Sequence, residues 1–152
     1  MSVLSWIREK VFGIKTFPSL DALVYYYKDN PQGLAYWILQ SIDTDENTPD
    51  EDILSEARST FIRGHGDCWD KASLMYYGLW VWGWNCYLLC AYPQDKMEGH
   101  AVCVYTDRTG KIWYVSNGYV YEAISPSPRE IALQFMPDMM EYDIEKFEAK
   151  TS

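Results

Sequence analysis

The chain has 152 residues, a length typical of one domain and sufficient for a real hydrophobic core. Its net charge of −9 argues against nucleic acid or an anionic membrane as the main partner, and no apolar run is long enough to span a membrane. No basic segment followed by a long apolar stretch opens the sequence, so we expect no signal peptide and a cytoplasmic protein.

The first part of the chain is predicted to be helical. Apolar residues recur there at helical spacing, which predicts helices over 3–12, 20–28 and 34–42. The acidic loop that follows is not a calcium-binding loop, because Thr48 and Leu54 stand where such a loop needs glycine and glutamate. Residues 48–51 read Thr-Pro-Asp-Glu instead, a capping box that predicts the start of another helix.

Cys68 is predicted at the beginning of the next helix. Asp67 is a good N-cap, and apolar residues follow it at helical spacing as far as Gly83, which marks a helix end. The first turn of a helix favours a thiolate, because unpaired backbone N–H groups and the helix dipole act there. We therefore expect a lowered pKa for the Cys68 thiol. The alternative, a cysteine that serves only as a small buried hydrophobic residue, fits this position less well.

A run of strands follows the Cys68 helix. Alternating apolar residues and turn signals predict strands at about 84–92, 99–106, 111–117 and 119–123. Ser127 and Glu130 form a second capping box for a helix through residue 134, and 141–147 is predicted to be a last strand, with a helix as the alternative. Helices followed by an antiparallel sheet make the predicted fold class α+β, with the Cys68 helix packed on the sheet.

His100 and Asn117 are predicted side by side on neighbouring strands. His100 opens one strand, Asn117 closes the next, and a turn signal at 107–110 joins the two strands as a hairpin. Asn117 would accept a hydrogen bond from one ring nitrogen and leave the other to take a thiol proton. Cys, His and Asn are the group that a thiol nucleophile requires. Alternatively, Asn117 and Gly118 form only a turn into the following strand, and the two interpretations are compatible.

Three short segments together resemble one enzyme family. They are Gly-Asp-Cys-Trp-Asp-Lys-Ala ending at Ala72, Gly-His-Ala-Val beginning at Gly99, and Trp-Tyr-Val-Ser-Asn over 113–117. Their order and spacing are similar to those of the transglutaminase-like (papain-like) cysteine peptidases and amidases, in which the third catalytic residue comes four residues after a tryptophan. The resemblance implies a papain-like/transglutaminase-like core over about 48–124, within a single domain spanning 1–152.

The resemblance also implies the site residues and the chemistry. Cys68, His100 and Asn117 would form a catalytic triad, and Trp69 and Trp113 would contact a peptide or protein substrate. The thiolate would attack an amide carbonyl to form a thioester, which water or an amine then resolves without any cofactor. Asn117 replaces the commoner Asp, and no Gln precedes Cys68, so backbone N–H groups near Cys68 are expected to stabilise the oxyanion.

Two other functions stay open from the sequence. The fold could be a catalytically inactive module whose aromatic cleft grips a peptide. The chain could also be an NlpC/P60-type peptidoglycan amidase, a family that likewise places Asp-Cys at a helix start, although it prefers Ser-Gly after the cysteine, where this chain has Trp69-Asp70.

The cysteines are expected to be reduced. Cys86 and Cys90 share one face of a strand but lie about 13 Å apart along it, too far for a disulfide. Two pairs have zinc-ligand spacing, His65 with Cys68 and His100 with Cys103. Residues three apart on a strand point to opposite faces, so zinc is the minor interpretation.

Overall fold

The computed structural model describes residues 13–46, 51–93, 99–137 and 142–149. Within them the chain forms five helices, namely α1 (Leu20–Tyr26), α2 (Pro31–Ser41), α3 (Ile53–Arg63), α4 (Cys68–Val81) and α5 (Pro128–Phe135). The predicted helix over 3–12 lies outside the described residues. The other predicted helices are confirmed.

Five strands form one antiparallel sheet in the order β6-β5-β4-β3-β7. They are β3 (Cys86–Pro93), β4 (His100–Thr106), β5 (Ile112–Ser116), β6 (Tyr119–Glu122) and β7 (Tyr142–Phe147). A separate parallel pair joins β1 (Asp43–Thr44) to β2 (His65–Gly66), and the sequence pattern does not predict it. The predicted strands are confirmed to within two residues at each end, and the α+β class is confirmed with them.

Two predicted helix starts need correction. The carboxylate of Asp52 accepts the N–H of Ser55 at 3.1 Å and caps α3. The capping box over 48–51 therefore does not open this helix, and three of its four residues lie outside the described part of the chain. Ser127 precedes α5 but makes no capping hydrogen bond through its side chain, so Pro128, with its preset φ, marks this start instead.

Side chains alternate between the two faces of the central sheet, and helices cover both faces. Residues that point towards α4 include Leu88, Cys90, Ala101, Cys103, Tyr105 and Val115. Residues on the opposite face, including Leu89, Val102, Val104 and Tyr114, pack against Ile131 of α5. Helices α2 and α3 cover the outer side of α4, so α4 is buried between them and the sheet.

Two further predictions concern the redox state of the cysteines and the absence of a membrane-spanning segment. All four cysteines are free thiols, as predicted; Cys68 is half-buried and the other three are buried. Within the described residues, no helix combines the length and the apolar character needed to cross a membrane.

Candidate functional site

A reciprocal capping box holds the N-terminus of α4. The Asp67 carboxylate accepts the N–H of Asp70 at 3.0 Å, and the Asp70 carboxylate accepts the N–H of Asp67 at 2.9 Å. Cys68 is the first residue of the helix, and this part of the prediction is confirmed. Its side chain therefore lies in the turn whose N–H groups have no partner within the helix.

A buried ionic network lies beneath this cap. Glu56 and Asp70 are fully buried, and one guanidinium nitrogen of Arg63 lies 3.1 Å from the Glu56 carboxylate and 3.4 Å from that of Asp70. Gly66 leaves room for the arrangement, because a Cβ at this position would lie 2.5 Å from the Cβ of Asp70. Arg63 thus helps to hold the carboxylate that caps the Cys68 helix.

Lys71 of α4 joins this helix to the acidic segment after α2. Its nearly buried ammonium group donates to the Thr44 hydroxyl at 2.9 Å. Burial lowers the pKa of Lys71, against the opposing effect of neighbouring carboxylates such as Glu46. In the same segment, Nδ1 of His65 lies 2.8 Å from the carboxylate of Asp45. These contacts place the segment beside Cys68.

The Cys68 thiol is less acidic than the sequence predicts. Burial raises its pKa, and the carboxylates of Asp67 and Glu46 raise it further, although backbone N–H groups of Ala101 and Trp69 hydrogen-bond the sulfur and act in the opposite direction. The expectation of a lowered pKa is therefore wrong. The helix start supplies N–H groups, but loss of water and two nearby negative charges outweigh them.

His100 is the first residue of β4 and is aligned with Ala91 of β3. By alternation its ring lies on the same face as Val102, the face covered by α5, and it packs against Phe135 with ring centroids 5.6 Å apart. Nε2 of the ring lies 2.8 Å from the hydroxyl oxygen of Ser116 in β5. Burial lowers the pKa of His100, which favours a neutral imidazole near pH 7.

The structure does not bring Asn117 to the imidazole. Asn117 and Gly118 both have positive φ, 52° and 93°, and form the tight turn between β5 and β6. Ser116 makes the contact that was expected of Asn117. Trp113 is not at the site either: its Nε1–H donates to the Asp107 carboxylate at 2.8 Å, and its ring packs on the α4 face of the sheet.

The reason for the Asn117 error lies in the register of the two strands. Val115 pairs with Cys103, and both face α4. The next residue, Ser116, therefore falls on the α5 face together with His100, whereas Asn117 does not. Pairing the two strands outward from the hairpin turn and following the alternation of side chains would have identified Ser116 from the sequence. Asn117 was chosen instead because its residue type is the one expected in a catalytic triad.

Cys68, Trp69 and His100 line one cleft with a volume of about 520 Å³. No hydrogen bond joins Cys68 to His100 within the described residues, so the expected direct contact is absent. The sulfur instead accepts a hydrogen bond from the backbone N–H of Ala101, the residue that follows His100 in the chain. The thiol therefore lies beside the backbone that carries the imidazole.

Several cleft residues were not identified from the sequence. Glu46 and Glu51 contribute carboxylates, Tyr92 contributes a ring, and Phe147 reaches the cleft from the edge strand β7. These residues are distant in sequence from Cys68 and belong to none of the three segments that carry the family resemblance, so only the fold brings them together.

The described residues contain no group of three or more His, Cys, Asp or Glu side chains that could hold a metal ion. His100 and Cys103 point to opposite faces of the sheet, as expected from their spacing.

Comparison with known proteins assigns no family to this chain: no protein-family model and no curated protein matches its sequence.

Proposed function

We propose that this chain is a thiol-dependent acyl-transfer enzyme of the transglutaminase-like (papain-like) class, acting on an amide or peptide bond. The observation that carries the proposal is that Cys68, at the start of a helix, and His100 line the same cleft. Cys68 is the nucleophile, His100 the base, and Ser116 the residue that positions the imidazole. Here the hydroxyl of Ser116 takes the role that the resemblance implies for Asn117.

The reaction begins from a neutral thiol and a neutral imidazole. The raised pKa of Cys68 and the lowered pKa of His100 both disfavour an ion pair in the free enzyme. With Nε2–H donating to Ser116, Nδ1 of His100 carries the lone pair that accepts the thiol proton as the sulfur attacks the carbonyl carbon. The imidazolium then gives this proton to the leaving nitrogen as the C–N bond breaks, and a thioester remains.

A shift at the first residue of β4 that keeps the Nε2–H bond to Ser116 would bring Nδ1 of the His100 ring to the sulfur. His100 is the first residue of its strand, so it has less packing around it than residues inside the sheet. The Ala101 N–H that now contacts the sulfur is released when substrate binds, and it can then donate to the oxyanion together with backbone N–H groups at the start of α4. Water or an amine finally attacks the thioester carbonyl, and hydrolysis is the default because water is always present.

One observation favours a second function, a peptide-binding module without catalysis. The His100 ring is held by Ser116 and Phe135 on the face of the sheet opposite α4, and the Cys68 thiol is not activated in the free protein. In this alternative the cleft binds a peptide and the thiol remains unreacted.

Amide hydrolysis by purified variants separates the two functions. A library of peptide amides, including a muropeptide-type substrate, would be screened with the unaltered chain and with Cys68→Ala. We expect Cys68→Ala to abolish hydrolysis and His100→Ala to lower kcat/KM by about 10²- to 10⁴-fold, the contribution of a general base. Bound peptide without hydrolysis, and with equal affinity for Cys68→Ala, would establish the binding module instead.

Ser116→Ala and Asn117→Gly form a matched pair for the positioning residue. Ser116→Ala removes one hydrogen bond of about 0.5–1.5 kcal/mol, so the expected loss in kcat is roughly 2- to 13-fold. Asn117→Gly keeps the left-handed turn and should leave kcat unchanged. The imidazole nitrogen NMR signals of His100 would report a tautomer change in Ser116→Ala only. If kcat falls and the tautomer changes in Asn117→Gly but not in Ser116→Ala, Asn117 is the positioning residue.

A further inference from the structure

Among the described residues, one side of the Cys68 cleft is negatively charged. Glu46 and Glu51 are exposed at its rim, and Asp67 lies next to the thiol. No lysine or arginine lines the cleft among the described residues. The ammonium group of Lys71 lies behind this wall and offsets part of the charge.

Aromatic rings form the other side of the cleft. Trp69 meets Phe147 edge to face, with ring centroids 5.1 Å apart and planes at 84°, and Tyr92 is 39% exposed. Glu51 is fixed to this wall, because its backbone carbonyl accepts the Trp69 Nε1–H at 3.4 Å and its carboxylate accepts the Ser59 hydroxyl at 2.8 Å. Indole and phenol rings next to carboxylates favour a cation over an anion.

The charge of the rim reaches the reacting sulfur. After burial, the carboxylates of Asp67 and Glu46 are the groups that raise the pKa of Cys68. A bare helix N-terminus would attract anions, but here the Asp67 carboxylate already occupies it through its bond to the Asp70 N–H. Lys71 also interacts with Cys68 and acts in the opposite direction, but it does not line the cleft, whose described charged residues besides His100 are all carboxylates. A positive group that enters the cleft therefore meets carboxylates.

We propose that the cleft selects acyl substrates that carry a protonated amine or guanidinium group close to the amide attacked by Cys68, with Glu46 and Glu51 as the specificity-determining residues. This inference rests on the proposed function. It names the substrate class, a basic peptide, and assigns its cationic side chain to the space between the two carboxylates and the Trp69 wall.

Charged thiol reagents test the selection without any need for catalysis. Methanethiosulfonates of similar size, one with a trimethylammonium group and one with a sulfonate group, form a mixed disulfide as the Cys68 thiolate displaces methanesulfinate. The ratio of the two second-order rates is independent of the thiolate fraction, so it reports the local field alone. We expect the cationic reagent to be favoured at low salt by at least about tenfold relative to the control thiol, and the preference to fall as salt is added.

The control thiol separates the cleft from the overall charge of the protein. Tyr25→Cys in a Cys68→Ala background places a thiol on an exposed part of α1, 79% accessible in the native side chain, on a protein of nearly the same charge. A Cys68 ratio equal to that of the control thiol would overturn the inference. A high ratio that survives E46Q/E51Q would also overturn it, because the selecting charges would then lie elsewhere.

Competition distinguishes a basic peptide from a free amine as the source of the cation. A lysine-containing tripeptide amide and spermidine would each be tested for protection of Cys68 against iodoacetamide. Protection by the tripeptide at concentrations where spermidine has no effect supports a basic peptide. Protection by spermidine alone would overturn the assignment of the cation to the acyl substrate. If the reagents show no preference for the cation while Cys68-dependent hydrolysis is observed, the inference fails and the proposed function stands. If the preference is observed without any hydrolysis, the proposed function fails instead.

Discussion

Replacing Arg63 with alanine should destabilise the domain strongly, because the side chain serves two buried carboxylates at once. Its guanidinium lies 3.1 Å from Glu56 and 3.4 Å from Asp70, and the carboxylate side chains are 0% and 1% exposed. Removing one partner of a buried ion pair costs about 3–5 kcal/mol, since the remaining charge stays buried without a counterion. The Arg63 side chain retains 23% exposure, so we expect a value near the lower end, about 3 kcal/mol.

A loss of this size is easily measured. For a domain of about 150 residues, 1 kcal/mol shifts the Tm by roughly 2–4 °C, so Arg63→Ala should lower the Tm by roughly 6–12 °C. Urea unfolding followed by tryptophan fluorescence would give the free energy directly. Arg63→Lys should be intermediate, because a single ammonium group keeps the charge but cannot reach both carboxylates with the same geometry.

Arg58 provides the matched control on the same helix. It is exposed and its guanidinium lies 5.9 Å from the ring centroid of Tyr77, a contact worth about 0.5–1 kcal/mol. Arg58→Ala should therefore change the Tm by only a few degrees. If Arg63→Ala and Arg58→Ala melt at the same temperature, the Arg63 network does not stabilise the cap of α4, and the reasoning fails.

The remaining predictions concern the thiol and two backbone positions. Because its pKa is raised, Cys68 should react with iodoacetamide at a rate that still climbs through about pH 8.5, the ordinary thiol value, and a plateau near pH 6 would instead indicate an ion pair with His100. Asn117→Ala should cost about 1 kcal/mol in urea unfolding, because alanine tolerates its φ of 52° less well, while Asn117→Gly should be neutral. Gly66→Ala should cost about 1–3 kcal/mol in the same assay, because the new methyl group displaces Asp70, and an unchanged midpoint would contradict this.

Much of the local structure was determined by the sequence alone. Asp67 caps the helix that begins at Cys68, and the strands from β3 to β7 lie within two residues of their predicted positions. These features depend on near neighbours in the chain: a cap, a turn, or a two-residue alternation of side chains. For the same reason the Asn117-Gly118 turn was readable, since only residues that tolerate positive φ fit it.

Only the tertiary structure decided what surrounds the thiol. Burial is the main cause that raises the pKa of Cys68, and the carboxylates of Asp67 and Glu46 add to it. Asp67 belongs to the helix cap, but burial and the approach of Glu46, which the β1–β2 pair and Lys71 bring close, do not follow from the helix that Cys68 begins. The hairpin register alone could have identified Ser116 as the neighbour of His100, but the packing of the His100 ring against Phe135 of α5, away from α4, depends on how the helix and the sheet come together. Long-range packing combines residues from separate elements, and its effects on charge, solvent access and contact are not encoded in any one segment of the sequence.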